Sequence, residues 1–174
     1  FSFCNCMSLE KIRLKNIKTI GIEAFSGNKS LLFVDLGGKL ECLSSFVFRQ
    51  SPLLRKVVGT ENLITIGAQC FANCTHLKTI NLHSVEDLGE YAFAFCNNLL
   101  SVNLSNVQHF DEACFFRCIH LKSVELSKSI ENLSKNLFYC CHHLEHVKNL
   151  ENIKELGVGC FYGSGLKTAD LRNC

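Results

Sequence analysis

FANCTHLKTINLHSVEDLGEYA, residues 71–92, is followed without a break by FAFCNNLLSVNLSNVQHFDEAC, residues 93–114. The two segments share one pattern, and the chain on either side repeats it. A phenylalanine opens each copy: Phe3, Phe25, Phe48, Phe71, Phe93, Phe115, Phe138 and Phe161, spaced by 22 or 23 residues. Self-similarity at such a period is the signature of a solenoid, in which every copy is one coil laid on the last.

Within a copy the apolar spacing changes, and the change has a physical reading. Three residues after each Phe stands Cys6, Asn28, Ser51, Cys74, Cys96, Cys118, Cys141 or Ser164. A leucine follows in seven copies, then a β-branched residue, and two further on often another leucine, as in Leu99, Val102 and Leu104. That period of two predicts a short strand with one face inward. A second apolar pair, such as Val85 and Leu88, closes the copy. Around the Phe, small residues four apart (Cys70 with Cys74, Cys114 with Cys118) predict about one turn of helix. Gly21, Gly67, Gly89 and Gly157 fall between these parts, where a sharp change of direction favours positive φ. Ser44, Asp111 and Ser134 hold the same place in other copies. One copy buries too little apolar surface to offset the entropy of ordering its own backbone. The coils must therefore stack, with strands joining a parallel sheet and each Phe packing on the next.

The order L-x-x-I-x-L, an apolar pair ending in I/L-G, then A/C-F-x-x-C, resembles the BspA-type leucine-rich repeat. That family's pattern is close to L-x-x-I-x-L-P-x-S-V-x-x-I-G-x-x-A-F-x-x-C. The match runs over nearly all of residues 1–174, as seven copies plus a partial eighth in a single array. The resemblance implies an α/β repeat solenoid: a right-handed superhelix with a parallel β-sheet on its concave face and short helical turns on the convex side. One departure is plain. Lys15, His83, Ser105 and Ser127 stand where the family's proline follows the strand, so the turn there is left open. The start at Phe1 in mid-pattern and the shortened last copy suggest a fragment of a longer array. The resemblance further implies a cell-surface or secreted protein that adheres to, or recognises, host or neighbouring-cell proteins, without catalysis.

Composition narrows the rest. A net charge of +2 lacks the marked basic excess of nucleic-acid binders, so no nucleic acid is expected as partner. No apolar run approaches the roughly 18 residues of a membrane span. The twelve cysteines fall largely in two columns: Cys6, Cys74, Cys96, Cys118 and Cys141, then Cys70, Cys114 and Cys160. Other copies carry Asn, Ser, Ala, Val or Leu there, as expected of buried free thiols acting as small hydrophobes. Free thiols suit a cytoplasmic location, the alternative to the surface. Cys4, Cys42, Cys140 and Cys174 lie off the columns and are the better candidates for pairing or oxidation. Cys140, Cys141, His142, His143 and His146 have the composition of a zinc site, but their repeat positions direct them apart, and a metal needs convergence. No phosphate-cradling glycine loop, HExxH or Cys-x-x-Cys occurs, so neither cofactor nor catalytic residue is expected. Asn28, Asn73, Asn103 and Asn132 begin N-x-S/T sequons, which chance supplies in a chain rich in Asn and Ser.

The outward strand positions form two columns, the expected protein-binding face. One is Lys11, Phe33, Lys56, Thr79, Ser101, Ser123 and His146; the other is Arg13, Asp35, Val58, Asn81, Asn103, Glu125 and Lys148. Lys11, Arg13 and Lys15 alternate along one strand, as a solvated edge or an anion-binding patch. Phe33 and Val58 are apolar among polar neighbours, a contact site or ordinary exposure. Three functions remain: recognition of a protein ligand of unknown identity, an intracellular scaffold, and a structural spacer arm in a larger protein.

Overall fold

The computed structural model describes all residues, 1–174. Twelve short strands run in chain order: β1 (Lys11–Arg13), β2 (Phe33–Asp35), β3 (Cys42–Leu43), β4 (Lys56–Val58), β5 (Thr65–Ile66), β6 (Asp87–Leu88), β7 (Ser101–Leu104), β8 (His109–Phe110), β9 (Ser123–Leu126), β10 (Asn132–Leu133), β11 (His146–Lys148) and β12 (Glu155–Leu156). All pairings are parallel and all join neighbouring coils, giving a β-solenoid of about seven turns. The L-x-x-V-x-L segments build a first sheet, β1-β2-β4, continued by a bridge from Lys56 to Thr79 and then by β7-β9-β11. The closing apolar pairs build a second sheet, β3-β5-β6-β8 and β10-β12.

The third side of each coil differs from the helical turns expected on the convex side. The only helical piece is one 3-10 turn, Leu150–Asn152. Around each opening Phe the chain runs instead as linked tight turns, and the hydrogen bonds show why. The N–H groups alternate in direction. In the fourth coil Cys70, Ala72 and Cys74 donate back within the coil, to Gly67, Gln69 and Phe71. Gln69, Phe71 and Asn73 donate across to Glu90, Ala92 and Ala94 of the next coil. A helix spends every N–H inside its own segment; here half of them stitch coil to coil.

That alternation needs left-handed backbone on both sides of the Phe. The residues two before and two after carry φ from 52° to 73°: Glu23 and Gly27, Phe46 and Gln50, Gln69 and Asn73, Tyr91 and Phe95, Ala113 and Arg117, Asn136 and Cys140, Gly159 and Gly163. Most are not glycine, so each non-glycine member carries a local cost of about 1–2 kcal/mol that the inter-coil bonding offsets.

Gly21, Gly67, Gly89 and Gly157, expected to supply positive φ, do not have it. At the last three the requirement is room. A Cβ on Gly67 would lie 2.7 Å from the Ser45 nitrogen, and one on Gly89 would lie 2.6 Å from that of Ala68. A Cβ on Gly157 would run into the Lys135 backbone. These glycines let one coil's backbone close on the coil before it, whereas Gly21, in the first coil, has open space beside it.

Inside, the eight opening phenylalanines stand in one file. Consecutive ring centroids are 5.2–5.8 Å apart, with planes 4–19° from parallel. Phe48, Phe71, Phe93, Phe115 and Phe138 are fully buried, while Phe3 at one end is 50% exposed. The strand leucines and valines complete a single continuous core.

All twelve cysteines are thiols, seven of them buried, whereas Cys42 and Cys174 are exposed. The column after the Phe does more than fill space. Cys74, Cys96, Cys118 and Cys141 each donate S–H to the carbonyl of the preceding coil's opening Phe, at 3.1–3.2 Å. Asn28 does the same through its amide, reaching the Phe3 carbonyl at 3.0 Å and its own Phe25 carbonyl at 2.7 Å. Ser51 then finds the Phe25 oxygen already served, and its buried hydroxyl has no partner. Asn28, the first sequon, is wholly buried.

Candidate functional site

On the first sheet the chain alternates strictly. Ile12, Val34, Val57, Ile80, Val102 and Val124 point into the core, which turns the residues on either side of each to solvent. The pairing register sets those outward residues in two files along the solenoid. Lys11 lies opposite Phe33 and Phe33 opposite Lys56, which bridges to Thr79; Ser101, Ser123 and His146 continue the file. Beside it Arg13, Asp35 and Val58 are in register, as are Asn103, Glu125 and Lys148. Asn81 occupies the equivalent place between these two runs, just outside the strands. The structure thus brings the fourteen expected residues onto one face, coil by coil.

Their local roles differ. Arg13 sits over the Phe33 ring at 5.8 Å, a cation–π contact between adjacent coils. Lys148 reaches Glu125 at 3.4 Å. The outward residues of the last three coils, Ser101 to Lys148, line a shallow depression of about 230 Å³. Asp35, Asn81 and Asn103 also shape the backbone, because each side-chain oxygen accepts the N–H two residues on, from Gly37 (2.9 Å), His83 (3.1 Å) and Ser105 (2.9 Å). These are Asx-turns, and they close the turn that the sequence leaves open. The N–H they use belongs to the position where the family's pattern has proline, and proline has none to give. In these three coils the Asp or Asn takes over the turn where the proline is absent.

The zinc-like cluster is dispersed by its hydrogen bonds. Cys141 points inward to Phe115. His142 bonds forward to the Gly163 carbonyl at 2.9 Å, and His143 bonds back to that of Ile119 at 2.7 Å. His146 lies on β11 facing solvent.

Two further surfaces were not legible in the sequence. A polar groove of about 560 Å³, on the flank between the sheets, is lined by residues including Glu41, Glu61, Ser84 and Glu86. Its side chains brace adjacent coils, as Asn62 does to the Gly38 carbonyl at 2.7 Å and Ser84 to that of Glu61 at 2.5 Å. On the turn side, Phe116, Tyr139 and Tyr162 stack outside the core at 4.9 and 4.8 Å. The only sign of that stack is an aromatic directly after the opening Phe in three successive copies.

Burial governs the ionisation of the inner thiols. It pushes Cys74, Cys141 and Cys160 up to about 12 and drives Cys70, Cys96, Cys114 and Cys118 above the ordinary thiol range. Thiols held neutral in this way are poor nucleophiles and poor metal ligands.

A family model described as BspA type Leucine rich repeat region matches the chain in six copies, over residues 1–118 and 82–173. Among solved structures, the T. pallidum leucine-rich repeat protein TpLRR is 28% identical, with a TM-score of 0.80 over 84% of this chain and 70% of that one. A leucine-rich repeat protein from Bacteroides ovatus shares the fold at 23% identity and a TM-score of 0.67, over 90% of this chain and 47% of its own. A leucine-rich cell surface protein from Faecalibacterium prausnitzii does so at 20% and 0.65, over 90% and 40%. No curated protein matches. No helix is long and apolar enough to cross a membrane.

Proposed function

The chain belongs to the BspA-type leucine-rich repeat family, and on that premise we propose that it is a non-catalytic protein-recognition module that binds its partner through the first sheet. Residues 1–174 act as one array, working in adhesion or partner binding at the cell surface. The observation that carries this reading is the pair of outward files. Fourteen side chains of mixed chemistry lie on one face, and beyond the three Asx-turns, the Arg13–Phe33 contact and the Lys148–Glu125 pair the fold has little use for them. Strands about 4.8 Å apart spread seven rows over roughly 30 Å, the scale of a standard protein contact.

Site-directed photo-crosslinking tests this. A photoreactive residue at Thr79 or Ser101 is expected to give discrete protein adducts with extracts of the source organism or its neighbouring cells. The same residue at Gln50, on the turn side, is expected to give none. Equal labelling from both sides overturns the assignment of the face.

A second reading, an intracellular scaffold or spacer arm, draws on the seven buried thiols, which suit a reducing compartment. Fractionation of the source cells separates the two, since a surface module is accessible to protease added outside intact cells.

A further inference from the structure

Charge is distributed unevenly along the solenoid. Residues 1–60 carry nine Lys and Arg against four Asp and Glu, whereas residues 61–174 carry nine against twelve. The ion pairs divide the same way. All five lie between residues 112 and 172, and no cation among residues 1–60 has a carboxylate partner. Lys39 is held by the Asn16 amide, Lys29 by the Gln50 carbonyl, and Arg13 and Arg49 by phenylalanine rings. Lys11 and Lys56 remain on the first-sheet face with no partner, and they flank Phe33 in register.

We propose that the first-sheet face of the opening three coils binds an acidic, extended protein segment carrying an apolar side chain. Carboxylates of that segment meet Lys11, Arg13 and Lys56, and its apolar side chain lies on Phe33 and Val58. The inference rests on the protein-recognition reading above and adds the partner's chemistry. Two cations about 10 Å apart across two strand spacings match three to four residues of extended chain. The half-buried apolar pair selects against a purely ionic polymer, because a polyphosphate gains nothing from Phe33 or Val58. Asp35, in register between Arg13 and Val58, would repel continuous negative charge while tolerating carboxylates placed on either side. Coils four and five, with Thr79, Asn81, Ser101 and Asn103, offer neither charge nor apolar surface on this face.

The experiment measures fluorescence anisotropy of a short synthetic peptide of glutamates around a central leucine. Two further probes are the same peptide with serine in place of leucine, and a DNA duplex of similar length. The leucine peptide is expected to bind saturably at low salt and to weaken about tenfold between roughly 0.05 and 0.5 M salt. A similar loss of about tenfold is expected for Lys11→Glu combined with Lys56→Glu. A smaller loss is expected for Phe33→Ser and for the serine peptide, and none for Gln50→Glu on the exposed turn side; matched thermal melts confirm that all variants fold. The proposal is overturned if the leucine peptide fails to bind, or if the double charge variant binds it unchanged. It is also overturned if DNA binds as tightly and Phe33→Ser has no effect, which marks a charge patch alone. Crosslinking from Thr79 and Ser101 that survives any of these outcomes leaves the recognition face standing without its acidic partner.

Discussion

A thiol donating to the carbonyl of the ring one coil below explains why Cys, Asn and Ser exchange in one column. Each carries a donor on a short stem, and the thiols and Asn28 donate to that oxygen, whereas Ser51 finds its oxygen already taken by Asn28. Cys96→Ala removes both the sulfur and the S–H donated to Phe71, and is expected to cost about 1–2 kcal/mol in urea unfolding. Cys96→Val, which restores volume without the donor, is expected to cost a similar amount, and Cys96→Ser less. Ser51→Ala should behave oppositely and be neutral or stabilising, because its buried hydroxyl has no partner to lose. The same burial links stability to pH. The folded thiols have values raised above those of the unfolded chain, so their contribution is full below about pH 8.5 and is lost as pH rises toward the folded values near 12. Unfolding free energies from urea titrations are therefore expected to fall steeply above about pH 9, by up to ~1.4 kcal/mol per pH unit for each buried thiol. Variants with fewer column cysteines should show a shallower fall.

Among the elements, the turns around each Phe set the strictest local demands. Gln50→Gly relieves left-handed strain (φ 57°) at an exposed site, and is expected to hold or raise stability by up to about 1 kcal/mol. Gly67→Ala must push its Cβ against the Ser45 nitrogen at 2.7 Å, a backbone that cannot swing aside. A loss of about 2 kcal/mol or more in thermal melts is expected, although φ at Gly67 is ordinary. The strands of the first sheet were legible because β-branched residues at a period of two report burial directly, as at Val102 and Val124. The helical expectation failed for a reason that one copy cannot display. Cys70 and Cys74 are four apart in a helix and equally so in linked turns; what decides is that Phe71 gives its N–H to Ala92, 21 residues away. The second sheet was missed because two-residue strands such as β5 and β6 are too short to show alternation. The outward positions of the first sheet were legible in the same way, since their register follows from the inward ones. The turn duty of Asp35, Asn81 and Asn103 was hidden by its dependence on a proline that is absent.

At the scale of the whole molecule, stability is shared between neighbours. Each coil touches one below and one above, and the Phe file carries this coupling through the core. Phe93→Ala, in mid-file between rings at 5.2 and 5.4 Å, is expected to cost about 3–5 kcal/mol. Because each coil leans on its neighbours, the loss should divide the array, with hydrogen exchange faster in the coils on both sides of residue 93 than at Phe48. The opening Phe N–H bonds and the strand bonds all run along the long axis, from one coil to the next. Tension applied between the two termini therefore loads these bonds one layer at a time, like a zip opened from its end. Such a molecule yields as an extensible spring rather than snapping as a block, releasing about 22 residues, or roughly 75 Å of slack, with every layer that gives way.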